Sequence, residues 1–361
     1  MELLRTLAMM AIVAYHIVGI CVNKQLATNV DMLFCSPKVY NKLFILTAFC
    51  TFGFTGNNIF MLISGYFMIN HVKSLGKPID LKKTSLKLLL QVGFVALVLA
   101  LIQSVTCVNI DNKYANYGLH LFNEMNWFVG YYLAVIVIAA LYLNEFLYSL
   151  DKSRYLAFIT ALFAIISFSW TNDLLAGFSE HLPTLLLGIL MFSIGGYIRR
   201  YNPFEKIRTY IFIVIIIAVY VLVFLTQHIV SIVSINAHLA ENPAEAYWQV
   251  ITAFPMYSIV HFLLSISVFE LFRRISIPHS NIINFLGSAT FCVCLFHFSD
   301  FVQDIWKLHD WMTPLHNNPI LFLIQLLLCT LLTFASGVAV YALYLFTGHI
   351  AKRLKPLVYI E

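Results

Sequence analysis

Ten stretches of predominantly apolar residues, at about 3–22, 43–69, 86–107, 126–148, 155–171, 182–198, 209–227, 247–271, 283–305 and 319–348, occupy most of this 361-residue chain. A helix needs about 20 such residues to cross the hydrocarbon core of a bilayer. Inside that layer each backbone N–H and C=O must be bonded within the protein, and for segments of this length the helix does so unaided. Charged residues make up only 11% of the chain, well below the roughly 25% of a soluble domain. The expected fold is therefore all-α: a polytopic membrane protein of about ten transmembrane helices, the fifth and sixth short. Connecting segments such as YIRRYNPFEKIR and ISIPHSN gather Pro, Asn and charge, as turns require. They are too short to hold a soluble domain. The chain reads as one membrane-embedded domain over 1–350, followed by a short basic cytoplasmic tail at 351–361.

Lysine and arginine set the expected orientation, because they concentrate in cytoplasmic loops. The segments after the second, fourth, sixth and eighth stretches, together with the tail, hold 16 of the 22 basic residues. The opposite face holds five, Lys24, Lys38, Lys42, Lys113 and Lys307. With ten spans, both termini are expected to be cytoplasmic. The formal net charge of +5 is thus a topological signal, and no nucleic-acid partner is expected. The expected partner is the lipid bilayer of the cell (plasma or inner) membrane. Arg5 leads into an apolar stretch with no small-residue cleavage pattern after it, so the first span is expected to be retained. The seven cysteines lie in or beside apolar stretches, and Cys292 with Cys294 gives a C-x-C spacing. That is not the C-x-x-C of zinc sites, and no metal is expected.

Polar groups inside such spans are costly and mark function by default. The opening segment MELLRTLAMMAIVAYH carries two, Arg5 and His16. Eleven residues separate them by roughly 16 Å along a helix and return them to nearly one face. A guanidinium at the inner interface suits phosphates, and an imidazole deeper in the helix suits proton transfer. Taken singly, Arg5 also fits a snorkelling anchor and His16 a packing histidine. His261 and Glu270 on the eighth stretch are further intramembrane polar groups, with no motif around them.

LLRTLAMMAIVAYHIVG resembles the opening of the integral-membrane acyltransferase-3 family, in which an arginine, ten residues and a histidine share the first span. Further landmarks follow in order. NIFMLISGYFMI, through Phe60, Ser64, Gly65 and Tyr66, is similar to the family's Ser-Gly-Tyr segment, and NWFVGYYLAVIVIAALYLN to its Trp-Phe start of a fourth span. SIGGYIRRY resembles its glycine pair and basic exit, and LGSATFCVCLFHFSDFVQDIW its Gly-x-x-Thr-Phe-x-Val-x-Leu-x-His segment, ending here on His297. Two positions depart from the pattern. The arginine pair of some members before the third span is replaced by Lys82, Lys83 and Lys87, and a frequent tyrosine by Cys294. The chain ends at Glu361 without an esterase domain after the last span, so activity is expected to reside in the membrane domain or be shared with a partner.

The resemblance implies O-acetyl transfer from cytoplasmic acetyl-CoA to a hydroxyl of an envelope polysaccharide, glycolipid or lipid-linked sugar. It implies His16 as general base, with a covalent acetyl-histidine as a variant, and Arg5 and His297 beside it as catalytic residues. For the acyl-CoA site, the inner-face charges of Arg5, Lys83 and Lys87 suit a polyanion, although such lysines also serve topology and anionic lipid, and Ser64 and Gly65 should lie at the depth of Arg5. Gly65 admits close approach of either the cofactor arm or a helix. His297 is expected at the depth of His16, orienting the base, stabilising an oxyanion or binding acceptor, with Asp300 at i+3 on a neighbouring face. Glu124, Asn126 and Trp127, at the outer end of the fourth span, are candidates to meet the acceptor sugar. Ten spans and a positive inner face would also serve a transporter or flippase of a lipid-linked saccharide. The ordered landmarks and the lack of an internal repeat favour the transferase.

Overall fold

The computed structural model of the chain describes residues 1–22, 24–25, 39–106, 127–179, 181–238, 254 and 256–354. Among the described residues all regular structure is helical. The helices are α1 (Glu2–His16), α2 (Val39–Met68), α3 (Leu81–Thr106), α4 (Trp127–Ile138), α5 (Lys152–Ser167), α6 (Ser169–Phe178) and α7 (Leu182–Tyr201). They continue with α8 (Thr209–His238), α9 (Ile259–Arg274), α10 (Asn281–His297), α11 (Asp300–Lys307), α12 (Met312–Asn317) and α13 (Pro319–Leu354). α1 runs on as a π-helix over Ile17–Val22, and α4 through a π-helical Ala139–Leu143 into Asn144–Ser149. Seven of these segments are long and apolar enough to cross a membrane, or eight with the bent pair α10 and α11. α5 and α9, each 16 residues, fall at the fifth and eighth apolar stretches. Residues 355–361 of the basic tail lie outside the described residues.

α1 lies at the centre, packed against α2, α10 and α13, and α2 also packs on α7 and α9. One continuous buried cluster runs through this inner set, from Leu4 and Met9 to Phe192, Cys292 and Phe322. α3 and α13 give one face to this cluster, and with α8 they turn residues such as Leu97, Leu101, Ile217, Leu328 and Leu332 outward. An exposed apolar surface of this extent suits lipid. Close approach at the centre depends on small residues. A Cβ on Gly65 would lie 1.8 Å from the Phe192 carbonyl oxygen, and one on Gly195 2.1 Å from that of Leu62.

Two boundaries matter for the site. α3 begins at Leu81, with the Asp80 carboxylate accepting from the Lys83 backbone N–H at 3.0 Å. Lys83 and Lys87 therefore sit on the first turns of a helix, not in a loop ahead of an apolar span starting at 86. The ninth apolar stretch, expected as one segment over 283–305, is broken after His297 by a 72° bend. The break follows from capping. The Ser299 hydroxyl accepts from the Val302 N–H at 3.4 Å and starts a new helix whose first residue is Asp300. Asp300 consequently lies across a bend from His297, not three residues along the same helix.

Candidate active site

α1 and α10 run side by side in the same direction. Glu2 lies against Gly287 at one end, and His16 meets His297 at the other. Arg5, on the first turns of α1, is bonded to the Glu2 carboxylate at 2.8 Å and stands 5.9 Å from the centre of the Phe67 ring at the end of α2. α3 follows α2, so it too begins at this end.

Between these helices lies a cavity of about 400 Å³. Arg5, Lys83 and Lys87 supply its cations. Met9, Phe60, Leu88, Phe128 and Phe291 supply apolar walls, and Ser64, Gln91, Tyr132, Thr290 and Cys294 line it too. The Ser64 hydroxyl donates to the Phe60 carbonyl at 2.9 Å, and the Tyr132 hydroxyl lies 3.3 Å from Ser64 Oγ. With the Ser64 proton directed at Phe60, the Tyr132 hydroxyl is the donor of that pair. Gly65 is not among the lining residues; its open side faces the Phe192 backbone.

Cys294 is the lining residue of α10 closest in sequence to His297, which follows it within one turn. His297 is fully buried. Its Nδ1 lies 2.9 Å from the Val293 carbonyl oxygen, and its Nε2 lies 3.1 Å from Nδ1 of His16. For two neutral rings these contacts fix the protons. A carbonyl only accepts, so His297 Nδ1 carries hydrogen and His297 Nε2 offers a lone pair. His16 Nδ1 must donate to it, which leaves His16 Nε2 unprotonated. The His16 ring packs edge-on against Tyr15 and Phe298, with centroids 4.9 and 4.6 Å away. Directly after it α1 widens into the π-helical Ile17–Val22, a distortion frequent at functional sites.

The other sequence candidates are placed as follows. Trp127 is the first residue of α4, whereas Glu124 and Asn126 lie outside the described residues. Asp300 opens α11. His261 stands apart from the histidine pair, its Nε2 3.1 Å from the Phe254 carbonyl oxygen and its Nδ1 3.5 Å from Thr55 Oγ1. Glu270 is fully buried and held by Arg273 at 2.8 Å and Arg274 at 3.3 Å. Arg273 also bonds Asn202, and Arg274 the Phe204 and Ile207 carbonyls. That network pins the α7–α8 connection to α9. Glu2, Gln91 and Tyr132 carry no motif that singles them out in the sequence. Glu2 and Arg5 do stand at i and i+3, a spacing that pairs charges on a helix.

The arrangement sets a cavity with three cations and several polar groups in its wall beside a helix that carries a histidine pair one turn beyond the last lining residue. Such a set can hold an anionic donor and remove a proton from an attacking hydroxyl. Neither curated proteins nor solved structures yield a match to the chain. A family model described as an acyltransferase domain matches residues 1–342. With that match over nearly the whole length, in a helical membrane fold, the chain belongs to the integral-membrane acyltransferase-3 family.

Proposed function

We propose that this membrane acyltransferase moves an acetyl group from cytoplasmic acetyl-CoA to a hydroxyl of an envelope polysaccharide or lipid-linked sugar. The observation that carries the reading is the cavity. Its cations, Arg5, Lys83 and Lys87, stand at the end where α1 and α3 begin, and its lining reaches Cys294, within one turn of His297. A polyanionic carrier with a long neutral arm fits that order of groups. The charge bias of the sequence puts the Arg5 end in the cytoplasm, where acetyl-CoA is made, with both termini on that side. The membrane is then the cell membrane.

In this mechanism Nε2 of His16 takes the proton from the acceptor hydroxyl as its oxygen attacks the thioester carbonyl. A new C–O bond forms, the C–S bond breaks, and the departing thiolate receives the proton back from His16. His297 continues to accept from His16 Nδ1–H throughout, which keeps the ring oriented and supports its charged form. The acceptor would approach from the other side of the histidines, with Asp300, which follows the bend, and the sequence candidates Trp127, Asn126 and Glu124 as the residues proposed to meet it. A tryptophan suits stacking on a sugar ring. The test is mass spectrometry of envelope glycans from cells with and without this protein. Loss of one acetyl mass from a glycan is the expected result. Unchanged glycans together with movement of a lipid-linked sugar across vesicles would favour the flippase instead.

A further inference from the structure

α3 presents Lys83, Lys87 and Gln91 to the cavity at four-residue intervals. Four residues advance a helix by about 6 Å and nearly repeat its face, so Gln91 lies roughly 12 Å deeper than Lys83 on one stripe. The stripe passes from two cations to a neutral amide. α1 repeats the order, from Arg5 to Met9.

Gln91 is only 2% exposed, and its side-chain amide has no hydrogen-bond partner among the described residues. Three of the hydroxyls that line the same cavity are engaged. Ser64 donates to Phe60, Ser288 to Asn284 and Thr290 to Gly287, each onto a carbonyl of its own helix. The amide is not sealed in the core: what is exposed of the side chain borders the cavity, so an occupant of the cavity is the partner open to it. Here it borders a cavity that Lys83 and Lys87 line on the same helix face. The complementary ligand carries phosphate at one end and, farther in, a secondary amide that both donates and accepts.

We infer that Gln91 pairs with an amide of the pantetheine arm of the donor, so that the cavity recognises the arm of coenzyme A as well as its phosphates. The inference rests on the acyl-CoA reading above and adds a binding residue to it. The arm bears two secondary amides between its phosphate and its sulfur. An amide-to-amide pair at Gln91 fixes how far the arm enters, and hence where the thioester stops relative to His16. Gln91 acts in binding and positioning; it takes no part in bond making.

Coenzyme A and adenosine 3′,5′-bisphosphate, which carries phosphates but no arm, separate the two ideas. Binding of each to purified protein in detergent or nanodiscs is measured for wild type, Gln91→Met and Gln91→Asn, with thermal unfolding as the folding control. The expected result is that Gln91→Met weakens coenzyme A about tenfold, the effect of one or two hydrogen bonds, and leaves the bisphosphate unchanged. Gln91→Asn, which keeps a shorter amide, falls between. In turnover the loss enters KM for acetyl-CoA more than kcat. Wild-type affinity of Gln91→Met for coenzyme A would overturn the inference while leaving the donor assignment in place. Equal weakening of both ligands would overturn it too, by making Gln91 a packing residue. Failure of the wild type to bind either ligand would instead overturn the donor assignment itself.

Discussion

Nδ1 of His16 lies 3.1 Å from Nε2 of His297, and Nδ1 of His297 lies 2.9 Å from the Val293 carbonyl oxygen. The chain of contacts orders the protons so that the outer nitrogen of His16 is the one left bare. His16→Ala is expected to lower kcat for acetyl transfer by about 10²–10⁴-fold, the usual contribution of a positioned general base. His297→Ala removes only the acceptor that orients His16 and should cost less. His297→Gln, whose amide oxygen can accept the same hydrogen bond, should recover part of that loss. Steady-state thiol release from acetyl-CoA measures all three.

The cations that line the cavity predict a different pattern. Lys83→Ala and Lys87→Ala should raise KM for acetyl-CoA several-fold each with little change in kcat, and the wild-type KM should itself rise with salt as screening shortens the reach of these charges. Arg5→Lys keeps the charge but loses the planar guanidinium, which bonds Glu2 through one nitrogen and would suit a phosphate through the others, so it should still be impaired. Initial rates at a series of ionic strengths check both points.

The α2–α7 contact predicts a steric effect. Methyl groups at Gly65 or Gly195 would run into the Phe192 and Leu62 carbonyls. Gly65→Ala and Gly195→Ala should each destabilise the fold by about 1–3 kcal/mol, as overpacking does, and this should appear in thermal unfolding of ligand-free protein. A loss of coenzyme A affinity at unchanged stability would return Gly65 to the binding site.

Glu270 is fully buried between Arg273 and Arg274. Glu270→Gln leaves two guanidinium groups without their carboxylate, and removal of one member of a buried ion cluster typically costs about 3–5 kcal/mol. A large drop in the unfolding temperature is expected. An active Glu270→Gln protein with wild-type stability would show that the cluster does not hold the α7–α8 connection.

The membrane class and most helices were legible because the length of an apolar run is nearly a structural statement in itself. The break after His297 was not, since apolar residues continue through Phe301 and Val302. Its signal was local: Ser299 followed by Asp300 is a helix start. The spacing of Arg5 and His16 was readable within one helix, whereas the meeting of His16 with His297 depends on how α1 and α10 pack. Gln91 was passed over for a related reason. A single amide in LKLLLQVGFVALVLALIQ gains meaning only once the cavity it borders is known. Gly65 allows two readings in the sequence, close approach of a helix or of the cofactor arm, and the structure shows the Phe192 backbone against it.

The most direct test of the account is the rate of thiol release from acetyl-CoA by purified protein in nanodiscs supplied with an envelope glycolipid extract, for wild type and His16→Ala. Wild type should release thiol in step with acetylation of a glycan, and His16→Ala should do so at least about a hundredfold more slowly while binding coenzyme A with unchanged affinity. Equal rates for the two proteins would contradict the assignment of His16 as the base.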